Sequence, residues 1–288
     1  MINKVEIIEQ EGILFFIDVN TAVNYERMLE LAIKSIKYYN NDIKIALVLV
    51  NDQGDKVKNY CNNFVDYIID IPAFVDTFGR KKKISNINQI YWASPFKKNI
   101  YIDCDFIILN KIDHWFELLD KRPFLFTSSC KDFRGQIFES NNYKQFFYKL
   151  GLDFVYSNIF MFNKDNDETL EFFNILTQIQ ANYQFFYDKF IELPFEEEDL
   201  NIDISLALKL TDNIDKITNN LINWIDLNPK KVNYTDKKNY DFYKYVNLWF
   251  TPNKKIKYEN YILLDPVHYA NKKFINSEFI EDVYKNLV

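Results

Sequence analysis

Two carboxylates stand one residue apart at the end of an apolar run, Asn99-Ile-Tyr-Ile-Asp103-Cys104-Asp105, which continues as Phe-Ile-Ile-Leu109. In a strand, side chains two apart point to one face, so both acids can converge on one point. Paired oxygen donors at a strand end suit a hard divalent cation, Mg²⁺ or Mn²⁺, that shares its coordination with substrate phosphates. An Asp-x-Asp triplet alone also fits a solvated turn after an edge strand, so its surroundings must decide. Other groups able to do chemistry are few. The chain has two histidines, His114 and His268, and three cysteines, Cys61, Cys104 and Cys130, without C-x-x-C spacing. A histidine-rich metal centre, a structural zinc site and a disulfide framework are therefore not expected. Glu196-Glu-Glu-Asp199 opens a helix, where acids are favoured whatever else they do. Arg80-Lys-Lys-Lys83 and Lys272-Lys273 are basic runs that fit either a phosphate or solvent.

The elements that must position these residues alternate. Ile13–Ile17 is a short apolar run ending at Asp18 and reads as a first strand. From Tyr25 to Tyr39, Met28, Ala32 and Ile36 recur every four residues beside Leu29 and Ile33, a helical stripe. Ile43–Val50 is a second strand closed by Asn51-Asp-Gln-Gly54, Asp55–Cys61 a short helix and Val65–Ile69 a third strand. Ile84–Ala93 reads as a helix stopped by Pro95. Asn99–Ile102 is a strand, His114–Leu119 a short helix, and Phe124–Thr127 and Val155–Phe162 are strands. Long helices are expected over Asp167–Phe186 and Asp199–Leu210. Beyond Thr211 the pattern blurs until a last strand at Tyr261–Leu264 and an amphipathic helix at Ser277–Asn286. This alternation predicts an α/β fold with a mostly parallel central sheet flanked by helices. One domain over residues 1–288, with an irregular C-terminal extension, is expected. Ligands of such sheets bind at the carboxyl ends of strands, where Asp103 and Asp105 fall.

Composition narrows the function. Of 288 residues, 18% are aromatic, with 27 Phe and 20 Tyr, enough for a large core. The five glycines are scattered singly, so neither G-x-G-x-x-G nor a Walker loop exists. A net charge of −6 argues against a broad nucleic-acid-binding surface. No apolar run reaches the roughly 18 residues of a transmembrane helix. The start Met-Ile-Asn-Lys-Val-Glu lacks a signal-peptide apolar region, so a cytoplasmic location is expected.

Around the Asp-x-Asp the sequence runs Tyr91-Trp-Ala-Ser94-Pro95-Phe96-Lys-Lys-Asn99-Ile-Tyr101-Ile-Asp103-Cys104-Asp105, then Ile107-Ile-Leu109, then Ile112-Asp113-His114-Trp115-Phe116-Glu-Leu-Leu119. These contiguous residues resemble nucleotide-sugar glycosyltransferases of the GT-A fold, especially the glycogenin-like family eight and related nucleotide-diphospho-sugar transferases. The resemblance implies a Rossmann-like sheet with a nucleotide-binding part over about 1–110 and a donor-sugar and acceptor part over about 111–288. It implies transfer of a sugar from a nucleoside diphosphate sugar, a UDP-sugar in this family, to an acceptor hydroxyl with retained configuration. Mn²⁺ or Mg²⁺ would be held by Asp103, Asp105 and His268. The third ligand comes from Asp265-Pro-Val-His268-Tyr269-Ala-Asn271-Lys272-Lys273-Phe274, which is similar to the family's His-Phe-x-Gly-x-x-Lys-Pro-Trp. There a lysine holds the diphosphate, the place of Lys272 or Lys273.

Nucleotide binding is further assigned by resemblance to Asp18, Asn20 and Tyr25 after the first strand, with Tyr25 on the uracil. Asp103 and Cys104 also belong to it, and Arg80 to Lys83 would supply positive charge for the donor. Asn158, in Tyr156-Ser-Asn158-Ile159, matches a strand beneath the donor sugar. Leu200-Asn201 aligns Glu196 and Glu198, with Asp199 adjacent, to an acidic element facing donor and acceptor. Glu198, Asp199 and Asn158 are thus the candidate catalytic residues. The chain departs from the family where Ile87 replaces a lysine and where Ile159 and Asn271 replace glycines. Two rivals remain. A sugar-phosphate nucleotidyltransferase would carry a Gly-rich signature after the first strand, which Asp18–Tyr25 lacks. A noncatalytic sugar-nucleotide-binding or scaffold protein would keep the fold. The acceptor, whether protein, glycan, lipid or modified base, stays open.

Overall fold

A computed structural model describes residues 4–17, 25–50, 54–73, 87–138, 141–191, 198–218, 221–227, 248–269, 274–275 and 278–286. The chain begins β1 (Glu9–Ile17), α1 (Tyr25–Tyr39), β2 (Lys44–Val50), α2 (Gly54–Cys61) and β3 (Tyr67–Ile71). Next come α3 (Ile90–Ala93), β4 (Phe96–Ile102), β5 (Phe106–Ile107), α4 (Asp113–Leu118), β6 (Phe124–Thr127), β7 (Cys130–Lys131) and β8 (Ile137–Phe138). α5 (Asn141–Lys149), β9 (Tyr156–Asn163), α6 (Asp167–Ala181), α7 (Tyr183–Phe190) and α8 (Leu200–Leu210) lead into the C-terminal part. That part holds β10 (Ile217–Thr218), β11 (Ile225–Asp226), β12 (Leu248–Phe250), β13 (Ile256–Tyr258), β14 (Tyr261–Ile262), β15 (Val267–His268) and α9 (Glu278–Asn286).

Seven strands form the central sheet in the order β10-β6-β9-β4-β1-β2-β3. β9 is antiparallel to both neighbours and the other pairs are parallel, so the predicted α/β architecture is present. β1 and β2 are near-continuous apolar runs because helices cover both sheet faces. Ile13, Leu14, Phe15 and Ala46 to Leu49 are fully buried. Gly12 in β1 lies against the ring of Phe96, which a Cβ there would meet at 2.4 Å. The aromatic content is largely core. Phe126 stacks on Phe160 at 4.9 Å, and Phe162 meets Phe173 edge-on at 5.0 Å.

Three expectations change. The helix expected over Asp167–Phe186 is two, because Asn182 leaves helical geometry (φ −147°, ψ 57°). Asparagine is a weak helix former, and the break is followed by Tyr187, buried with its hydroxyl bonded to Asp203. Of the helix expected over Ile84–Ala93, the described residues form a 3₁₀ turn at Ile87–Gln89 and an α-helix at Ile90–Ala93; residues 84–86 lie outside them. In the C-terminal part the described residues carry short strands that the sequence pattern did not predict. β11 and β15 enter a second sheet, β5-β15-β11-β7-β8, and β12-β13-β14 form an antiparallel third. Strands of two or three residues are too short to give a periodic signal. Among the described residues no helix is long and apolar enough to cross a membrane.

Candidate functional site

β4 delivers the Asp-x-Asp to the carboxyl rim of the central sheet, between β1 and β9. The strand ends at Ile102, and Asp103-Cys104-Asp105 form a turn before β5. Strand pleating therefore does not align the two acids; hydrogen bonds fix the turn instead. The Asp103 N–H donates to the Asn158 carbonyl on β9 (2.9 Å), and the Tyr269 N–H donates to the Asp105 carbonyl (3.1 Å). Downstream, Ser35 Oγ on α1 accepts the Ile108 N–H (2.9 Å), and Asn40 Oδ1 accepts the Ile112 N–H (2.9 Å). Upstream, Asn99 is fully buried and its amide donates to the Phe96 and Lys97 carbonyls. Tyr101 donates its hydroxyl to Asp103 Oδ1 at 2.5 Å. Burial, then the Asp103 charge, raises the Tyr101 phenol well above its usual range, so it stays a donor.

The second sheet brings His268 to this turn. β15 pairs with β5 in the register His268↔Phe106, and with β11 in the register Asp226↔His268. His268 Nε2 lies 3.3 Å from Asp105 Oδ1, and Nδ1 lies 3.7 Å from Asp226 Oδ1. Phe106 and Trp224 enclose the imidazole at 4.9 Å and 5.6 Å between centroids. Burial alone would lower its pKa, but the Asp105 and Asp226 carboxylates outweigh it and raise the value to about 10. Asp226 is itself buried, and sequence reasoning missed it. Its strand is two residues long in the blurred region, and only pairing with β15 reveals its place beside His268.

A carboxylate and an imidazole are donors that manganese accepts, so Asp105 and His268 fit one edge of a metal site. Asp103 turns its carboxylate to Tyr101. Among the described residues no three His, Cys, Asp or Glu side chains group so as to hold a metal.

Asn158 lies on β9 next to the turn, its carbonyl accepting the Asp103 N–H. It is 8% exposed, and its Oδ1 is buried with no hydrogen-bond partner among the described residues. Such an acceptor is costly to leave unmade, and a ligand hydroxyl would satisfy it. Asn201 Oδ1 holds the neighbouring Ser157 N–H at 3.0 Å, joining α8 to β9. Ile159 is fully buried in β9, pairing with Ile102. The Asp199 carboxylate caps α8, accepting the Asn201 and Ile202 N–H groups at 2.8 and 3.2 Å. Glu198 directly precedes this cap. Beneath it Tyr187 donates to buried Asp203 (2.6 Å), and the Asp199 N–H donates to the Tyr187 hydroxyl (3.2 Å). Tyr25 opens α1, half-buried against the core. Asp18, Asn20, Arg80 to Lys83, Glu196, Glu197, Asn271, Lys272 and Lys273 lie outside the described residues.

No protein-family model matches the sequence, and no curated protein matches it significantly. Solved structures do. Galactosyltransferase LgtC, in complex with donor and acceptor sugar analogs, aligns over 96% of this chain and 95% of its own, at 13% identity and TM-score 0.54. Mouse xyloside xylosyltransferase 1 aligns over 92% and 98%, at 10% identity and TM-score 0.53. This chain has the GT-A fold. Glycosyltransferase GlyE of Streptococcus pneumoniae TIGR4 aligns over 73% of this chain but 45% of its own, at 15% identity and TM-score 0.45. The chain thus spans less than half of that protein.

Proposed function

We propose that this GT-A chain transfers a sugar from a nucleoside diphosphate sugar, a UDP-sugar first among candidates, to an acceptor hydroxyl with retained configuration. The observation that carries this reading is the Asp105–His268 pair, 3.3 Å apart beside the end of β4. An anionic diphosphate meets carboxylates on this rim, in a chain of net charge −6, and needs a cation to offset them. Asp105 and His268, with Asp103, would hold Mn²⁺ or Mg²⁺. When bound, that ion neutralises charge growing on the leaving nucleoside diphosphate. Asn158 Oδ1 would accept a donor-sugar hydroxyl, and Tyr25 would stack on the base. Lys272 or Lys273, with Arg80 and Lys83, would add positive charge for the phosphates. Glu198, at the mouth of α8, would orient donor and acceptor; Asp199 would act through its cap, which holds that segment in place.

A panel of nucleotide sugars incubated with the chain and Mn²⁺ tests this. Turnover of one donor, abolished by Asp105→Ala, is expected; no turnover of any donor by a chain that binds UDP favours a noncatalytic sugar-nucleotide-binding protein. Ile159 in the place of a family glycine, and the lack of a three-ligand group among the described residues, are what speak for that second reading.

A further inference from the structure

The segment that carries Glu198 and Asp199 is held from below by a buried string of side chains. Gln180 on α6 donates its amide to Asp203 Oδ2 at 3.3 Å, and Tyr187 on α7 donates its hydroxyl to Asp203 Oδ1 at 2.6 Å. The Asp199 N–H, in the peptide that joins it to Glu198, donates to that hydroxyl at 3.2 Å. Gln180 and Asp203 are fully buried and Tyr187 is nearly so. We propose that Tyr187 and Asp203 are positioning residues for sugar transfer, acting through the Glu198–Asp199 peptide to hold the Glu198 carboxylate against the donor sugar. This role rests on the transfer reading above and adds to it two residues too deep to touch substrate.

The bonding of Asp199 fixes the segment. Its N–H goes to Tyr187, its carbonyl accepts the Asp203 N–H at 2.9 Å, and its carboxylate caps α8. Every polar group of Asp199 is thus engaged, and Glu198 is its neighbour along the chain. Two residues further on, Asn201 Oδ1 accepts the Ser157 N–H, next to Asn158 on β9. Tyr187 from below and Asn201 from the side therefore set the acidic segment relative to that strand.

Helix packing alone does not call for this chemistry. A carboxyl buried among α6, α7 and α8 is costly, because Glu198 and Asp199 are its charged neighbours and no cation pairs with it among the described residues. A leucine would fill similar space without that cost. What the carboxyl supplies is direction, a short bond that aims the Tyr187 hydroxyl at one backbone amide. The break at Asn182 starts α7 as a separate helix, and from it the ring reaches under the cap. Precision of this kind matters to a transferase, since a misplacement of about 1 Å can cost roughly a hundredfold in rate.

UDP release from UDP-glucose, UDP-galactose, UDP-xylose and UDP-N-acetylglucosamine, with the full chain and Mn²⁺, tests this. For a donor that the wild type turns over, Tyr187→Phe should lower kcat roughly tenfold to a hundredfold and change the donor KM by less than about twofold. Asp203→Asn, which keeps an acceptor for the Tyr187 hydroxyl, should retain most of the kcat that Asp203→Leu loses. Combined with Glu198→Gln, Tyr187→Phe should cost little beyond Glu198→Gln alone, because both act through one carboxylate. A merely structural role would multiply the two losses. Asp203→Leu leaves the phenol in place and removes its short acceptor, so it carries the same comparison where Tyr187→Phe fails to fold. Full kcat in Tyr187→Phe or in Glu198→Gln, a loss confined to KM, or multiplied losses in the double variant would overturn the positioning role and leave the transfer reading intact. A wild type that turns over none of the donors removes the transfer reading and this role together.

Discussion

His268 sits between two carboxylates, and each has a separate consequence. Asp105 shares its Nε2 side at 3.3 Å, and Asp226 faces Nδ1 at 3.7 Å. A carboxylate behind a metal-binding imidazole orients the ring and raises its basicity. Asp226→Asn keeps the side chain's size and removes that charge. It should weaken Mn²⁺ binding to the UDP-loaded chain by roughly tenfold to a hundredfold in a calorimetric titration, with metal-free UDP binding unchanged. Unaltered Mn²⁺ affinity would remove Asp226 from the site. At this scale a local string of residues singled out Asp103, Asp105 and His268, and the structure brings two of them, Asp105 and His268, within 3.3 Å of each other. Asp226 was not legible, since its partner comes from a distant part of the chain through two-residue strands. The cap formed by Asp199 was half legible: an acid opening a helix was expected, but the amides it accepts required coordinates.

The elements around the site are held by close packing and by one buried acid. Gly12→Ala puts a methyl into the Phe96 ring, itself fully buried at the start of β4, and should destabilise by roughly 1–3 kcal/mol in urea unfolding. A neutral result would mean that β1 and β4 slide apart readily. Asp203 lies in α8 under the segment carrying Glu198 and Asp199. Burial, then Glu198, pushes its carboxyl well above the ordinary 3.8, while bonds from Tyr187 and Gln180 oppose this. A raised acid favours the protonated folded form. Its stabilising contribution is full below about pH 3.8 and is lost as pH rises toward the elevated folded value. Asp203→Asn should flatten that slope above pH 4 and cost under about 1 kcal/mol, whereas Asp203→Leu removes the short acceptor of the Tyr187 hydroxyl, leaving it the 3.2 Å contacts to the Asp199 backbone, at roughly 1–3 kcal/mol. Equal pH slopes for wild type and Asp203→Asn would contradict this. Long periodic elements such as α1 were legible to the residue. The α6–α7 break was not, because a single asparagine does not announce a kink that tertiary packing of Tyr187 completes.

Across the whole molecule, the run of strands and helices was enough to predict the α/β sheet, because both covered faces leave uninterrupted apolar strands. The second sheet escaped, since strands of two residues carry no period and gain meaning only from their partners. It is this sheet that carries His268 to Asp105, so the candidate site depends on the least legible part of the chain. Glycine poverty fits that design: no glycine cradle exists for a phosphate, and a cation between carboxylate and imidazole would take its place. Thermal unfolding with UDP, with and without Mn²⁺, tests this most directly. Ligand at about a hundred times its Kd adds roughly 2.7 kcal/mol and should raise the melting temperature by about 5–10 °C. The rise should be larger with Mn²⁺ than without, and Asp105→Ala should erase the metal's share. No shift with UDP or any other nucleoside diphosphate, in either condition, would contradict the account.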